Sequence, residues 1–373
     1  WGEAFQFDWS EEHLVIGGIW RKVQLAHMKL CASRAFWLVA YPGQGHEMLF
    51  DAHTRCLAGL GGVARRGIYD NMKTAVDQTP RKDRGRVVNA RFAAMTAHYL
   101  FDADFCNVAS GWEKGRVEKG VQDARRRIWL DAGQERFGSF AELNAWLATQ
   151  VREAWSAPHP DGPGMSIREA WEHEQPHLMP MPTPFDGYVE LPARVSSTSL
   201  VAVARNRYSV PCHFAGHRVS VRLYPEKVVI VAEQNVVAEH PRAVDRDHVI
   251  YDWQHYLPLI ERKPGALRNG APFADLPDSL QRLRRALLKR DGGDKVMAQV
   301  LMAVPIHGLE AVLVAVDLVL DSGRPSAEHV LNVLARLREG PPPPSVETSL
   351  RVSAAPLADP ERYDSLRPEV SHG

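Results

Sequence analysis

Apolar and polar residues alternate in three runs near the start of the chain, a pattern typical of β-strands. The runs read EAFQFDW, KVQLAHMKLCAS and RAFWLVAY, and their close spacing predicts an antiparallel meander. Apolar residues then recur at helical spacing from His46 to Leu60, and the run RRGIYD predicts a further strand that ends at Asp70. The order of three strands, a helix and a strand predicts an α/β domain.

A second set of runs completes this domain. The polar loop DQTPRKDRGRVVN is followed by a helix in ARFAAMTAHYLF, a strand in ADFCNVA and a helix in GWEKGRVEKGVQDARRRIW. Ser110 and Glu113 have the spacing of a capping box, in which two side chains satisfy exposed backbone donors at a helix start. Glu118 lies one turn from Lys114, at the border of an apolar stripe that we expect to pack on the sheet. The stripe consists of Val117, Val121, Ala124 and Ile128.

The segment after residue 150 contains a motif with the spacing of a zinc site. SAPHPDGPG is a linker by its proline and glycine content, and IREAWEHEQ predicts a helix. In HEQPH, His173 and His177 have the separation that binds zinc when both lie on one helix. Pro176 lies inside the turn that would have to be helical, where proline removes a backbone donor and clashes with the preceding turn. We therefore predict that the motif holds no zinc and that Pro176 stops the helix.

Two further changes of pattern divide the rest of the chain. From Tyr188 to about Asp252, short alternating β-branched runs predict a small all-β barrel, whereas the runs beyond Pro264 have helical spacing. The tail from PPPPS onward is proline-rich and polar, which predicts disorder. The predicted regions are 1–150 for the α/β domain, 151–185 for a helical linker, 186–253 for the β-barrel, 254–340 for a C-terminal α-helical region and 341–373 for the tail.

Charge is balanced over the whole chain but not along it. Lysine plus arginine and aspartate plus glutamate both number 45, so the total charge predicts no partner. Residues 111–127 contain six basic and three acidic residues, and residues 194–227 contain six basic residues and one acidic residue. Such clusters predict contacts with phosphates, which give affinity for nucleic acid without sequence choice, although an ordinary solvated face is the alternative for the second cluster. The candidate DNA-binding residues are Asn71, Lys73, Lys114, Arg116, Lys119, Arg125, Arg126, Arg194, Arg205, Arg207, Arg218 and Arg222.

Several classes of protein are disfavoured by what the sequence lacks. The four cysteines are far apart and form no CxxC pair, which argues against a zinc ribbon and fits a reducing cytosol. The most apolar run, AVLVAVDLVL, is too short to span a bilayer and contains Asp317, so we expect no membrane role. No P-loop glycine-lysine motif occurs, which predicts that this chain does not hydrolyse ATP.

Three carboxylates are predicted to converge beside the sheet. Asp8 lies mid-strand on the face opposite the aromatic residues of FQFDW, Asp70 ends a strand where open α/β sheets present functional groups, and Glu118 lies on the later helix. Clustered carboxylates are unfavourable unless cations neutralise them. Magnesium prefers carboxylate oxygens, and two ions about 4 Å apart can activate a nucleophile and stabilise a leaving oxygen in phosphoryl transfer. The structural alternatives are a turn-terminating role for Asp70 and an ion pair with Lys114 for Glu118.

These motifs, taken in order, resemble the IstA family of bacterial insertion-sequence transposases from Gly2 to about Glu339. The resemblance is carried by QFDW around Asp8, by YDNMKTAV, by GWEKGRVE ending at Glu118, by NRYSVP and by HYLPLIERKPGAL. It implies a ribonuclease H-like integrase-type catalytic domain in which Asp8, Asp70 and Glu118 bind two Mg²⁺ ions, with Mn²⁺ as a substitute. It also implies DDE chemistry, in which nicking frees a 3′ hydroxyl at each element end and that hydroxyl then attacks target DNA.

The same resemblance implies the partners of the protein. They are double-stranded DNA, as element ends and as target, a separate helper AAA+ ATPase of the IstB type, and further copies of this chain on DNA. NRYSVP would belong to a DNA-binding barrel, and the C-terminal helices to a region that contacts DNA, another protomer or the helper. The expected location is the bacterial cytoplasm, in association with the nucleoid.

Two features depart from the family pattern. The N-terminal helix-turn-helix modules with which such transposases recognise element ends do not occur in this sequence. In addition, 47 residues separate Asp70 from Glu118, more than in the related integrase motif, which predicts an insertion in the region 77–99. Two alternative functions are a ribonuclease H-like nuclease, which would cut but never join DNA, and a non-catalytic DNA-binding or assembly protein from a decayed element.

Overall fold

The computed structural model of the protein describes residues 1–70, 76–77, 87–106, 118–162, 164–323 and 325–339, and at positions 70, 76–77, 87–88, 106 and 118–124 it describes the backbone alone. The chain divides into two compact units, Trp1–Leu259 and the part from Ile260 onward. The predicted capping box at Ser110 and the proline-rich tail lie outside the described residues.

A five-stranded mixed sheet forms the centre of the first unit. The strands of this region are β1 (Ala4–Ile16), β2 (Ile19–Leu30), β3 (Phe36–Tyr41), β4 (Arg66–Asp70), β5 (Val76–Asp77), β6 (Val87–Val88) and β7 (Asp102–Cys106). The first three form the predicted antiparallel meander, and β4 and β7 add in parallel, so the order is β3-β2-β1-β4-β7. The short strands β5 and β6 pair with each other as a separate ribbon. This is the strand order of a ribonuclease H-like fold, which confirms the predicted fold class.

The first hairpin is longer than the run FQFDW predicts. β1 continues to Ile16 and turns back into β2 through Gly17 and Gly18, whose φ angles of 61° and 77° are those of a two-residue type I′ turn. β4 pairs with β1 over Ala4–Phe7, and β3 pairs with β2 over Gln24–Lys29. The hairpin beyond these pairs therefore projects past the sheet.

The described residues of this domain include the helices α1 (His46–Leu60), α2 (Ala90–Tyr99), α3 (Glu118–Ala132), α4 (Phe140–Ala154) and α5 (Ile167–Glu174). α1 packs closely on β3, since a Cβ atom at Gly59 would lie 2.3 Å from the ring of Trp37. α4, which the sequence analysis did not predict, lies along the outer strand of the sheet. There the amide of Asn144 pairs with both backbone groups of Ala40, at 2.7 and 3.0 Å, and so satisfies part of the free edge of β3.

The HEQPH motif is structural. α5 ends at Glu174, and Gln175–His177 form a single 3₁₀ turn, as Pro176 requires. His173 and His177 are exposed, whereas Glu174 is completely buried and accepts hydrogen bonds from the backbone N–H groups of Gly2 and Ser33, both at 2.9 Å. The prediction that Pro176 stops the helix is confirmed, since the two histidines do not share a helix and the carboxylate of Glu174 points into the core.

Residues 189–250 form the predicted all-β domain, which consists of two sheets on one core. The strands are β8 (Val189–Arg194), β9 (Leu200–Val203), β10 (Asn206–Ser209), β11 (Arg218–Leu223), β12 (Lys227–Ala232), β13 (Asn235–Pro241) and β14 (Val249–Ile250). They are arranged as a four-stranded sheet, β13-β12-β11-β8, and a three-stranded sheet, β14-β10-β9. Tyr208, Val221 and Ile230 are fully buried between them.

The second unit is helical, as predicted. The chain enters it through α6 (Leu257–Arg262) and continues with α7 (Ala266–Asn269), α8 (Asp278–Leu287), α9 (Gly293–Met302), α10 (Val304–His307), α11 (Leu309–Asp321) and α12 (Ala327–Glu339). The apolar run AVLVAVDLVL lies within α11 and buries Val312, Val316 and Val319. Among the helices of the described ranges, none has the length and apolarity needed to cross a membrane.

Candidate active site

Asp8 lies on the solvent-accessible side of β1. Its neighbours Phe7 and Trp9 point to the opposite face and join the hydrophobic core, as the alternation predicts. The carboxylate of Asp8 is exposed, and its Oδ1 accepts a hydrogen bond from the backbone N–H of Trp9 at 2.8 Å. Across the hairpin, Asp8 pairs in register with His27 of β2. The middle of a core strand thus carries an exposed acid on its outer side.

The register of the sheet brings Asp70 beside Asp8. Phe7 of β1 pairs with Tyr69 of the parallel strand β4, and each aspartate is the next residue along its own strand. Neighbouring strands lie about 4.8 Å apart, so the backbones at these two positions are adjacent. On its other side, Asp70 pairs with Cys106 of β7. The structure describes the backbone of Asp70 but not its side chain. It therefore bears on the predicted position of Asp70 beside Asp8, and the direction of the carboxylate stays a prediction.

Glu118 is the first described residue of α3, and its side chain is likewise outside the described set. Further along the helix, Ile128 is buried in the core of the sheet domain. Arg125 lies close enough to His27 to act on it: the pKa of His27 is lowered to about 3, first by burial and then by the positive charges of Arg125 and Lys29. Since His27 pairs with Asp8, Arg125 of α3 lies on the side of the sheet that carries Asp8. Glu118 precedes Arg125 by seven residues, about 10 Å along the helix.

A buried polar pair lies beneath the two aspartates. Nδ1 of His53 in α1 donates to the carbonyl oxygen of Leu49 at 2.8 Å, which leaves Nε2 to accept from the hydroxyl of Tyr69 at 2.9 Å. The ring of His53 also stacks on Phe7 at 4.3 Å between centroids. Burial lowers the pKa of His53 to about 4, so the imidazole stays neutral near pH 7. The pair fixes Phe7 and Tyr69, the residues directly before Asp8 and Asp70. The sequence analysis missed it, although a polar residue within the apolar stripe of α1 is the signal.

The candidate DNA-binding residues of the first basic cluster are only partly described. Asn71, Lys73, Lys114 and Arg116 lie outside the described residues, as does the side chain of Lys119. Arg125 is half-buried and Arg126 is exposed. Of these candidate residues, Arg126 is thus the one whose described side chain is exposed.

Four of the five candidate arginines of the all-β domain are exposed, namely Arg194, Arg205, Arg207 and Arg218. Arg194 and Arg218 lie directly opposite each other on β8 and β11. Like charges in such a pair repel, and a bound phosphate between them would remove the repulsion. Arg205 occupies the turn between β9 and β10 in the left-handed region, with φ of 64°.

Arg222 has a packing role that the sequence did not predict. Its side chain is half-buried, and its guanidinium carbon lies over the ring of Tyr188, 4.9 Å from the centroid. The guanidinium carbon of Arg91, from α2, lies over the same ring at 4.6 Å. The contact of Arg91 links the sheet domain to Tyr188, the residue before β8, and the contact of Arg222 links Tyr188 to β11.

Three ion pairs also join these two domains within the first unit. Arg242 lies 3.0 Å from Glu47 at the start of α1, and both side chains are largely buried, with 14% and 8% of their surface exposed. Arg21 of the projecting hairpin binds both carboxylate oxygens of Asp245. Arg55 of α1 pairs with Glu226. The largely buried pair Arg242–Glu47 is weakly screened by salt, and the three pairs together fix the position of the all-β domain on the sheet domain.

Comparison with known proteins distinguishes the all-β domain from the sheet domain. Residues 180–252 match the family model described as the Mu transposase C-terminal domain. The chain is 51% identical over 373 residues to the transposase for insertion sequences IS1326/IS1353 of Pseudomonas aeruginosa, covering 98% of this chain and 73% of the relative. It is 32% identical over 244 residues to the transposase for insertion sequence element IS21 of Pseudomonas aeruginosa, covering 63% of this chain and 60% of the relative.

The sheet domain also aligns with the HTLV-2 integrase catalytic core domain in complex with magnesium. The alignment covers 46% of this chain and 94% of that chain, with 11% identity and a TM-score of 0.32. The fold assignment rests on the strand order of the sheet. That fold and the Mu-type domain after it define the class of the protein, a DNA transposase. The chain belongs to the family of insertion-sequence transposases that includes those of IS1326/IS1353.

Proposed function

We propose that this chain is the catalytic transposase of an IstA-type insertion sequence and that Asp8, Asp70 and Glu118 form its DDE active site. One observation carries the proposal: the Phe7–Tyr69 register puts Asp8 and Asp70 at adjacent positions of neighbouring parallel strands. The effect of Arg125 on the pKa of His27, which pairs in register with Asp8, adds support for Glu118, because Glu118 belongs to the same helix as Arg125. The IS21 relative supports the IstA assignment.

The donor set fits divalent metal ions. Three carboxylates offer only oxygen ligands, which Mg²⁺ and Mn²⁺ prefer, and the carboxylate of Asp8 is exposed and accessible. Among the side chains that are described, no three of His, Cys, Asp or Glu form a metal-binding group, and those of Asp70 and Glu118 are not in that set. Bound to the three acids, two Mg²⁺ ions would supply an activated nucleophile and stabilisation of the leaving oxygen.

The residues of the chain then have distinct tasks in two successive reactions. In the first, water attacks the phosphorus at an element end, a new P–O bond forms, and the 3′ oxygen leaves as a hydroxyl. In the second, that hydroxyl attacks a phosphodiester of the target DNA, which joins the strands and releases the target 3′ oxygen. The carboxylates of Asp8, Asp70 and Glu118 would bind the metal ions. Basic residues such as Arg126, Arg207 and Arg218 would bind the phosphates of the DNA.

The wider assembly is part of the same proposal. The element ends and the target are double-stranded DNA, several copies of the chain act together, and a helper AAA+ ATPase of the IstB type cooperates with them in the bacterial cytoplasm, at the nucleoid. The regions 1–150, 151–185, 186–253, 254–340 and 341–373 would serve as catalytic domain, helical linker, DNA-binding barrel, C-terminal helical region and tail. The transposase relatives support DNA as substrate.

A strand-transfer assay tests the active site. Pre-nicked element ends are mixed with target DNA, Mg²⁺ and the helper ATPase, and joined products are resolved on a denaturing gel. Glu118→Gln, Asp8→Asn and Asp70→Asn should each reduce joining to below about 1% of wild type, since loss of outer-shell partners alone costs 10–100-fold at metal sites. DNA binding should be retained. Glu113→Gln, five residues from Glu118, is the matched control and should still join DNA.

Other outcomes would identify the alternatives. Joining by Glu118→Gln at the wild-type level would contradict the proposed site. Cleavage without joining by the wild-type protein would indicate a ribonuclease H-like nuclease. DNA binding without either reaction, unchanged in all three variants, would indicate a non-catalytic assembly protein.

A further inference from the structure

Helix α8 in the second unit has two opposite faces of different chemistry. Leu280, Leu283 and Leu287 are buried at the spacing i, i+3, i+7. Arg282, Arg285 and Lys289 repeat the same spacing about half a turn away and are exposed. From residue 281 to 290, the sequence QRLRRALLKR contains five basic residues and no acidic one. The basic face is therefore continuous along the helix and the turn that follows it.

The contacts of these basic residues separate structural ones from those open to a partner. Arg284 is half-buried and donates to the carbonyl oxygens of Phe273 at 2.7 Å and Arg268 at 3.1 Å, so it holds the fold of the unit. Arg282 lies 3.5 Å from a carboxylate oxygen of Asp317.

Arg285, by contrast, has a hydrogen bond to the side-chain oxygen of Gln281 at 3.1 Å, one turn back. In the described part of the chain, no carboxylate lies within ion-pair distance of Arg285, Lys289 or Arg290. Three exposed cations at and after the end of the helix thus lie outside the ion pairs of the described residues.

The dimensions and composition of this face fit the backbone of DNA. From Arg282 to Lys289 the stripe extends about 10 Å, and one strand of a duplex presents a phosphate every 3.4 Å along its axis. Within residues 278–290, all of them described, no large apolar side chain is exposed. A protein partner would need such anchors for affinity, whereas phosphate contacts need only placed charge.

We infer that the basic surface of α8 and of the turn after it, formed by Arg285, Lys289 and Arg290 with Arg282 beside them, is a sequence-independent DNA-binding surface of the C-terminal unit. The inference rests on the proposed function in taking DNA as the partner. It does not depend on the three catalytic carboxylates. Arg285, Lys289 and Arg290 each contact a phosphate and release counterions on binding, which makes the affinity depend on salt.

The test measures duplex binding by the full chain as a function of salt, in EDTA so that no cleavage occurs. The triple variant Arg285→Gln/Lys289→Gln/Arg290→Gln should reduce the slope of log K against log salt by about 2 to 3, since each phosphate contact contributes about 0.9. Lys295→Gln/Arg336→Gln/Arg338→Gln is the matched control, because it removes three exposed charges from other helices of the same unit. The control should keep the wild-type slope.

Further variants separate binding from folding and from catalysis. The double variant Arg285→Lys/Lys289→Arg keeps both charges and should keep the salt dependence of binding. An unchanged melting temperature of the triple variant would show that it is folded. Asp8→Asn should lose joining but keep the slope, so failure of the active-site proposal is distinguishable. The inference would be overturned if the triple variant kept the wild-type salt dependence, a result that would point to an acidic protein partner instead. It would also be overturned if the control variant lost as much of the salt dependence as the triple variant.

Discussion

Nε2 of His53 lies 2.9 Å from the hydroxyl oxygen of Tyr69, and both side chains are completely buried. Burial lowers the pKa of His53 to about 4, below the ordinary value of 6.5. Unfolding restores the ordinary value, so the unfolded chain binds more protons between these pH values. The contribution of His53 to the free energy of unfolding is complete above pH 6.5 and is lost as the pH falls toward 4.

The first prediction follows from this loss of stability at low pH. The free energy of unfolding should fall by about 3 kcal/mol from His53 alone as the pH is lowered from 7 to 4. Urea unfolding at a series of pH values measures it. His27, His240 and His255 also have pKa values lowered mainly by burial, so they add to the effect. In His53→Gln, the free energy of unfolding should therefore still rise with pH, but less steeply than in the wild type. An equally steep rise would contradict the lowered pKa of His53.

The second prediction concerns Glu174. Its buried carboxylate accepts hydrogen bonds from the backbone N–H groups of Gly2 and Ser33. Glu174→Ala leaves two buried donors without an acceptor and should lower the free energy of unfolding by about 3 kcal/mol. Glu172→Ala, at an exposed position two residues earlier, should change it by less than about 0.5 kcal/mol. Equal effects in chemical denaturation would refute a structural role for the buried acid.

The third prediction separates two arginines of the all-β domain. Arg218 is exposed opposite Arg194, whereas Arg222 packs over Tyr188. Arg218→Gln should reduce the salt dependence of DNA binding by about one phosphate contact. Arg222→Gln should leave that slope unchanged and instead lower the stability by about 1 kcal/mol through the lost cation–π contact. If Arg222→Gln rather than Arg218→Gln reduced the salt dependence of DNA binding, Arg222 would be the phosphate contact and the prediction would be wrong.

The sequence predicted the helices and strands of the sheet domain better than the contacts between them. Alternation around Asp8 correctly separated it from Phe7 and Trp9, because side-chain direction along a strand is a local property. The pairing of Phe7 with Tyr69 depends on a parallel contact between distant segments, which no local pattern encodes. The sequence could therefore name Asp8 and Asp70 but could not show that they are adjacent.

Some missed features did have a local signal. Gly17 and Gly18 mark a type I′ turn, which would have extended the first strand to Ile16. Ser139 and Glu142 form the S-x-x-E pattern at the start of α4, and the serine hydroxyl accepts from the glutamate N–H at 3.2 Å. Glu174 had none, because its partners lie at the start of the chain and in the turn after β2.

The pairs Arg242–Glu47, Arg21–Asp245 and Arg55–Glu226 join the domain that carries Asp8 to the all-β domain. They hold the arginines of the all-β domain at a constant distance from Asp8. In the proposed reaction, a DNA strand that contacts both places would have a constant number of nucleotides between the phosphate bound by the arginines and the phosphate that reacts. The position of the nick would then be set by the distance between two protein domains rather than by recognition of the bases at the nick.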